Sequence, residues 1–73
     1  MHIEYDREND IAYVSLVEHI ADGAAVRQIS VDGVGAHAEV FLDVDASGRL
    51  LGIEVIGAGG ALPAEVLEPS ATD

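Results

Sequence analysis

Ala38-Glu39-Val40-Phe41-Leu42-Asp43-Val44, then Asp45-Ala46-Ser47-Gly48, then Arg49-Leu50-Leu51-Gly52-Ile53-Glu54-Val55-Ile56 is the stretch that decides the fold. Val40, Leu42 and Val44 recur at every second position, as do Leu51, Ile53 and Val55, which is the period of a strand with one face buried. The four residues between are turn formers, so the stretch reads as an antiparallel hairpin. For both apolar sets to share a face, the loop must hold an even number of residues, because a slip by one turns every side chain over. A four-residue loop at 45–48 with Gly48 left-handed satisfies this. In that register Phe41 covers Gly52 and Glu39 faces Glu54.

Working toward the N-terminus, Ile3 and Tyr5 alternate with His2, Glu4 and Asp6, the pattern of a half-buried strand. Arg7-Glu8-Asn9-Asp10 is a polar turn, and 11–17 runs apolar on both sides as an inner strand does. Either Ile11 and Tyr13 or Val14 and Leu16 can face the core. The segment 26–31 is a further strand candidate, followed by the turn-rich Asp32-Gly33-Val34-Gly35. Beyond Ile56, Gly57-Ala58-Gly59-Gly60 reads as a flexible break, 61–67 as one or two helical turns with Pro63 near the start, and 68–73 as a disordered tail. The expected architecture is mainly β: one domain over 1–67, an antiparallel sheet of four or five strands with a short C-terminal helical turn. A simple meander places the turns 6–10 and 43–45 at opposite ends of the sheet.

With 73 residues, folding buries only about 60% of the surface of the extended chain. Small domains supplement such a core with disulfides, a metal or self-association. Cysteine is absent, and His2, His19 and His37 have no ligand-like spacing. Self-association as a homodimer, through the second face or an unpaired strand edge, is the supplement that remains. Fourteen Asp and Glu stand against three Arg, with no lysine, for a net charge of −11. Such a field repels phosphate, which argues against nucleic acid and anionic membrane as partners, and favours small basic proteins. The first residues have neither a basic region nor a long apolar run, so the sequence carries no signal-peptide pattern and a cytoplasmic location is expected.

Several motifs suggest chemistry. Asp43, Asp45, Ser47, Gly48 and Glu54 fall at the spacing of an EF-hand calcium loop. The alternating flanks are strand-like where that loop needs helices, so no metal site is expected, with Asp43, Asp45 and Glu54 as the alternative ligand set. Gly33-Val34-Gly35-Ala36-His37-Ala38 fits a dinucleotide fingerprint but leads into a strand, not a helix. Ser15, Ser30 and Ser47 lack a nucleophile elbow or a His–Asp pairing. Glu39 and Glu54 form the carboxylate pair that would take up a proton or a cation if they face each other. A patch of Phe41, Leu50 and Ile56 among acids is the expected partner-binding surface. No cofactor and no catalytic residue are expected.

Tyr5-Asp6, Asp10, Tyr13, then Asp43-x-Asp45-x-x-Gly48-Arg49 and Gly52-Ile53-Glu54-Val55-Ile56 resemble the small prokaryotic family called domain of unknown function 2283. The resemblance spans residues 1–58, and Gly-Arg followed by Gly-Ile-Glu is its most specific part. It implies the β fold and transfers no activity, cofactor or catalytic residue. The functional expectation is therefore a non-enzymatic interaction module, in an antitoxin-like version one that neutralises a basic partner. The alternative is a cation-binding or carboxylate-based enzyme site near Glu39, Asp43 and Glu54.

Overall fold

The computed structural model describes residues 1–68. The tail expected at 68–73 lies outside them from residue 69 onward. Five strands form a single antiparallel sheet: β1 (His2–Asp6), β2 (Ile11–Ser15), β3 (Arg27–Val31), β4 (Glu39–Val44) and β5 (Leu50–Ile56). A 3-10 turn (Ala58–Gly60) and a four-residue helix, α1 (Ala64–Leu67), follow. Pro63 sits immediately before α1, where its missing N–H costs nothing. The fold is thus the expected mainly β sheet with a short C-terminal helical turn.

The strand order is β1-β2-β5-β4-β3, not a simple meander. β3, β4 and β5 are joined by successive hairpins. The long link 16–26 carries the chain from β2 across to the far edge, which lets β5 return beside β2 in a Greek-key arrangement. The expected separation of the 6–10 and 43–45 turns survives, because Asp6 aligns across the sheet with Glu39, and His2 with Asp43.

The last hairpin corrects the predicted register. Val40 pairs with Val55 and Leu42 with Ile53, so the two apolar sets do share a face. The route to that result differs. Asp45 and Arg49 close the turn through the Asp45 N–H to the Arg49 carbonyl at 2.9 Å, leaving three residues between them, with Gly48 left-handed at φ 83°. A three-residue turn alone would invert the faces. The pairing steps from Val44 opposite Leu50 to Asp43 opposite Gly52, and the extra residue, Leu51, forms a bulge that restores the parity. In consequence Phe41 stands opposite Glu54, not Gly52, and Glu39 stands opposite Ile56.

The register also resolves β2. Ala12 aligns with Tyr5, Val55 and, one strand further, Val40, whereas Ile11 and Tyr13 project to the other side. The fully buried cluster is made of Ala12, Val40, Val55 and Ala58, with Tyr5, Val31, Leu62 and Leu67 packed around it. Every member of the cluster is small, and among the described residues no large side chain is completely buried.

Ala58 lies in the segment expected to be a flexible break, yet its exposure is 0%. The reason is Asp10. Its carbonyl accepts the N–H groups of Gly57 (2.9 Å) and Ala58 (3.0 Å), and its carboxylate accepts the Gly59 N–H (2.8 Å) and the Tyr5 hydroxyl (2.6 Å). Four donors converge on one residue, which adopts the left-handed region at φ 57° to receive them. Asp tolerates that region better than most residues. The segment 57–67 is thereby latched over one half of the sheet's core face.

Candidate functional site

The two faces of the sheet divide the charge. On the core face the strands present Ile3, Tyr5, Ala12, Val14, Ile29, Val31, Val40, Leu42, Ile53 and Val55, and Arg27 is the one charged residue among the strand positions aligned with them. The strand carboxylates Glu4, Asp6, Glu39, Asp43 and Glu54 all fall on the opposite face. There they surround Ile11, Tyr13, Phe41 and Ile56, which are half-buried. The arrangement follows from alternation: each acid sits one residue from a core-facing Val, Leu, Ile or Tyr.

Two cross-strand rows organise this acidic face. Glu4, Tyr13, Glu54, Phe41 and Ser30 align across all five strands. Beside them, Asp6, Ile11, Ile56 and Glu39 form the second row. Ile56 thus lies between Ile11 and Glu39, while Glu54 lies between Tyr13 and Phe41. Apolar groups at the centre and carboxylates interleaved or at the rim give a surface that is neither a cavity nor a plain solvated face.

Tyr13 is the most constrained member. Its ring crosses Gly52, where an added Cβ would overlap the phenol oxygen. Its hydroxyl donates to Asp43 Oδ2 at 2.7 Å, and Gln28 Nε2 donates to Asp43 Oδ1 at 3.1 Å. Desolvation, the Asp43 hydrogen bond and the negative charges of Asp43 and Glu54 push the Tyr13 phenol up to about 12. At neutral pH it is a fixed hydrogen-bond donor, not an acid–base group.

The predicted site residues are placed as follows. Phe41 and Ile56 share the acidic face, but Leu50 stands opposite Val44 and belongs to the core side. Glu39 and Glu54 are diagonal neighbours, not opposite partners, since Ile56 faces the first and Phe41 the second. Asp43 is engaged by Tyr13 and Gln28. Asp45 accepts the N–H groups of Ser47 and Arg49, each at 2.9 Å, and the Arg49 guanidinium Nε at 3.1 Å. These bonds, the one from the Arg49 N–H first, hold the Asp45 carboxyl below its ordinary value. The calcium-like spacing therefore belongs to a hairpin turn. Among the described residues no group of three His, Asp or Glu is gathered as a metal shell. His19 and His37 lie in links, and the His2 ring is 3.3 Å from Glu4 at the sheet edge. The fingerprint-like 33–38 segment connects β3 to β4 and opens no helix.

Sequence reasoning did not give Asp10 its role as a latch or seat Tyr13 on Gly52. Both had a visible signal, because each belongs to the residues that carry the family resemblance. Tyr5 with Asp10, and Tyr13 with Asp43 over Gly52, are two phenol–carboxylate pairs that fix this sheet. Structurally the protein is an open five-stranded antiparallel sheet with a small C-terminal cover. A family described as "Protein of unknown function (DUF2283)" matches residues 2–58, and the chain belongs to that family. Neither a curated protein nor a solved structure gives a match. Among the described residues, no helix is long and apolar enough to cross a membrane.

Proposed function

We propose that the protein is an interaction module whose acidic face binds a basic protein segment. The observation that carries this reading is the placement of half-buried Ile11, Tyr13, Phe41 and Ile56 amid the strand carboxylates of one face. Interfaces draw specificity from an apolar centre and orientation from a charged rim. A chain of net charge −11 without lysine adds long-range attraction for cationic partners. An antitoxin-like role, in which the module occupies a small basic protein, is the concrete version that acidity and size support. The site chemistry gives the carboxylate-enzyme alternative less support, since Asp43 is already bonded and Glu39 does not face Glu54.

A defined probe tests the reading: a peptide alternating lysine with leucine, titrated while amide resonances are followed. Shifts should concentrate at Ile11, Phe41, Glu54 and Ile56. Phe41→Ser should weaken binding more than Glu4→Gln, and added salt should weaken it further. Shifts spread evenly over the acidic loops, with Phe41→Ser folded and indistinguishable from the parent, would reduce the acidity to a matter of solubility.

A further inference from the structure

We infer that β3 is a homodimerisation edge, pairing antiparallel with β3 of a second copy to continue the sheet. The two outer strands differ in kind. β1 carries Glu4 and Asp6, charges of the sort that keep an edge from pairing. β3, Arg27-Gln28-Ile29-Ser30-Val31, has no carboxylate and no proline, and its pairing with β4 runs without a bulge. Among the described residues nothing pairs with its outer side. Ile29 is 38% exposed and Val26, just before the strand, 59%. An exposed edge of this composition is a template for another strand.

The sequence of β3 selects a second copy as the occupant. Two copies related by a twofold axis through Ile29 set Ile29 against Ile29, Gln28 against Ser30 and Arg27 against Val31. Gln28 Nε2 is committed to Asp43, which leaves its carbonyl oxygen to accept the Ser30 hydroxyl of the second copy. No two like charges meet, although the chain bears a net charge of −11. The one charged side chain of β3, Arg27, is a cation and faces the uncharged Val31 of the second copy. The aligned row Ile3, Val14, Ile53, Leu42 and Ile29 lies on the half of the core face beyond the latched cover, and it would run straight on into its equivalent. The buried cluster of this chain is small in volume, so a joined sheet supplies order that the single copy lacks.

Ile29→Cys is the direct test, because the chain has no cysteine of its own. Opposed residues in an antiparallel pair have Cα atoms about 4.5–5.5 Å apart, within the span of a disulfide. Mild oxidation should convert Ile29→Cys to a covalent dimer and leave Leu50→Cys, on the turn end, as single chains. In solution the parent should show twice the 7.6 kDa chain mass. Ile29→Lys should show the single mass with an unchanged Gly52 amide environment. A parent protein of single-chain mass at its highest soluble concentration overturns the inference. So does a dimer that Ile29→Lys leaves intact, or cross-linking of Leu50→Cys in place of Ile29→Cys. The acidic-face reading stands or falls separately, since the peptide titration is read at Ile11, Phe41, Glu54 and Ile56 on β2, β4 and β5, not at the outer edge of β3.

Discussion

The Tyr13 phenol lies across Gly52 of the neighbouring strand, so closely that no other residue fits at position 52 without displacing it. Glycine in a strand interior weakens the strand unless something uses the space. Here the aromatic ring uses it, and the hydroxyl continues on to Asp43. Gly52→Ala should therefore destabilise the fold by about 1–3 kcal/mol, the range of an overpacked site. Combining it with Tyr13→Phe should cost less than the two single changes added together, because the phenol oxygen is the first atom the methyl meets. Chemical denaturation of the four proteins measures the coupling.

Alkaline titration reads the same contact. A phenol whose folded value is raised above the unfolded one stabilises the fold fully below the unfolded value of 10.0, and that contribution is lost as pH rises toward about 12. Stability should fall across that window. The two tyrosines and the absence of tryptophan make phenolate absorbance a clean reporter. Tyr5 is raised as well, chiefly by its hydrogen bond to Asp10, so Tyr5→Phe isolates the Tyr13 transition. A single ordinary tyrosine titration in Tyr5→Phe would contradict the Tyr13–Asp43 geometry.

Asp10 can be dissected by what each replacement retains. Asp10→Asn keeps the carbonyl, a side-chain acceptor and tolerance of positive φ, and should be close to neutral. Asp10→Ala loses the side-chain acceptor and strains the backbone, and should cost about 2–4 kcal/mol. Hydrogen exchange at Gly57, Ala58 and Gly59 should accelerate in Asp10→Ala before the strands themselves open. Equal protection in both variants would mean the cover is held by its apolar contacts alone.

Calcium should produce no saturable shift at Gly48 or Glu54 at micromolar concentrations. Asp45 spends its oxygens on the turn, Asp43 on Tyr13 and Gln28, and Glu54 sits in mid-strand between Tyr13 and Phe41. A micromolar isotherm would require the hairpin to rearrange.

Acid should loosen the turn at Asp45. Its carboxyl is held below 3.8, so its contribution is present above that value and disappears as pH drops through the lower folded one. Asp45→Asn should flatten this acid response, read from the Ser47 and Arg49 amides.

Strand positions and core faces were legible because alternation is a local property: Val40, Leu42, Ile53 and Val55 declare their face within a few residues. Loop parity was not, since a three-residue turn plus the Leu51 bulge gives the same faces as an even loop. That equivalence moved Phe41 from Gly52 to Glu54 and separated Glu39 from its expected opposite. Strand order was also hidden, because nothing in 16–26 states that the chain crosses to the far edge. The order of the Gly57–Gly60 segment depends on an acceptor at Asp10, far away in sequence and invisible to any local window. Leu50 was misassigned for the bulge's sake as well.

The Greek-key link has a kinetic consequence. The β4–β5 hairpin closes a short loop and can form within microseconds, whereas joining β2 to β5 must close the whole middle of the chain. On the ribosome the first hairpin is made early, yet the inner edge of β2 stays unpaired until β5 has emerged. Nascent chains therefore pass through a stage with a bare apolar strand, the condition under which chains cross-pair with one another. Glu4, Asp6, Glu8 and Asp10 precede that strand in the sequence, and like charge on neighbouring chains opposes such cross-pairing.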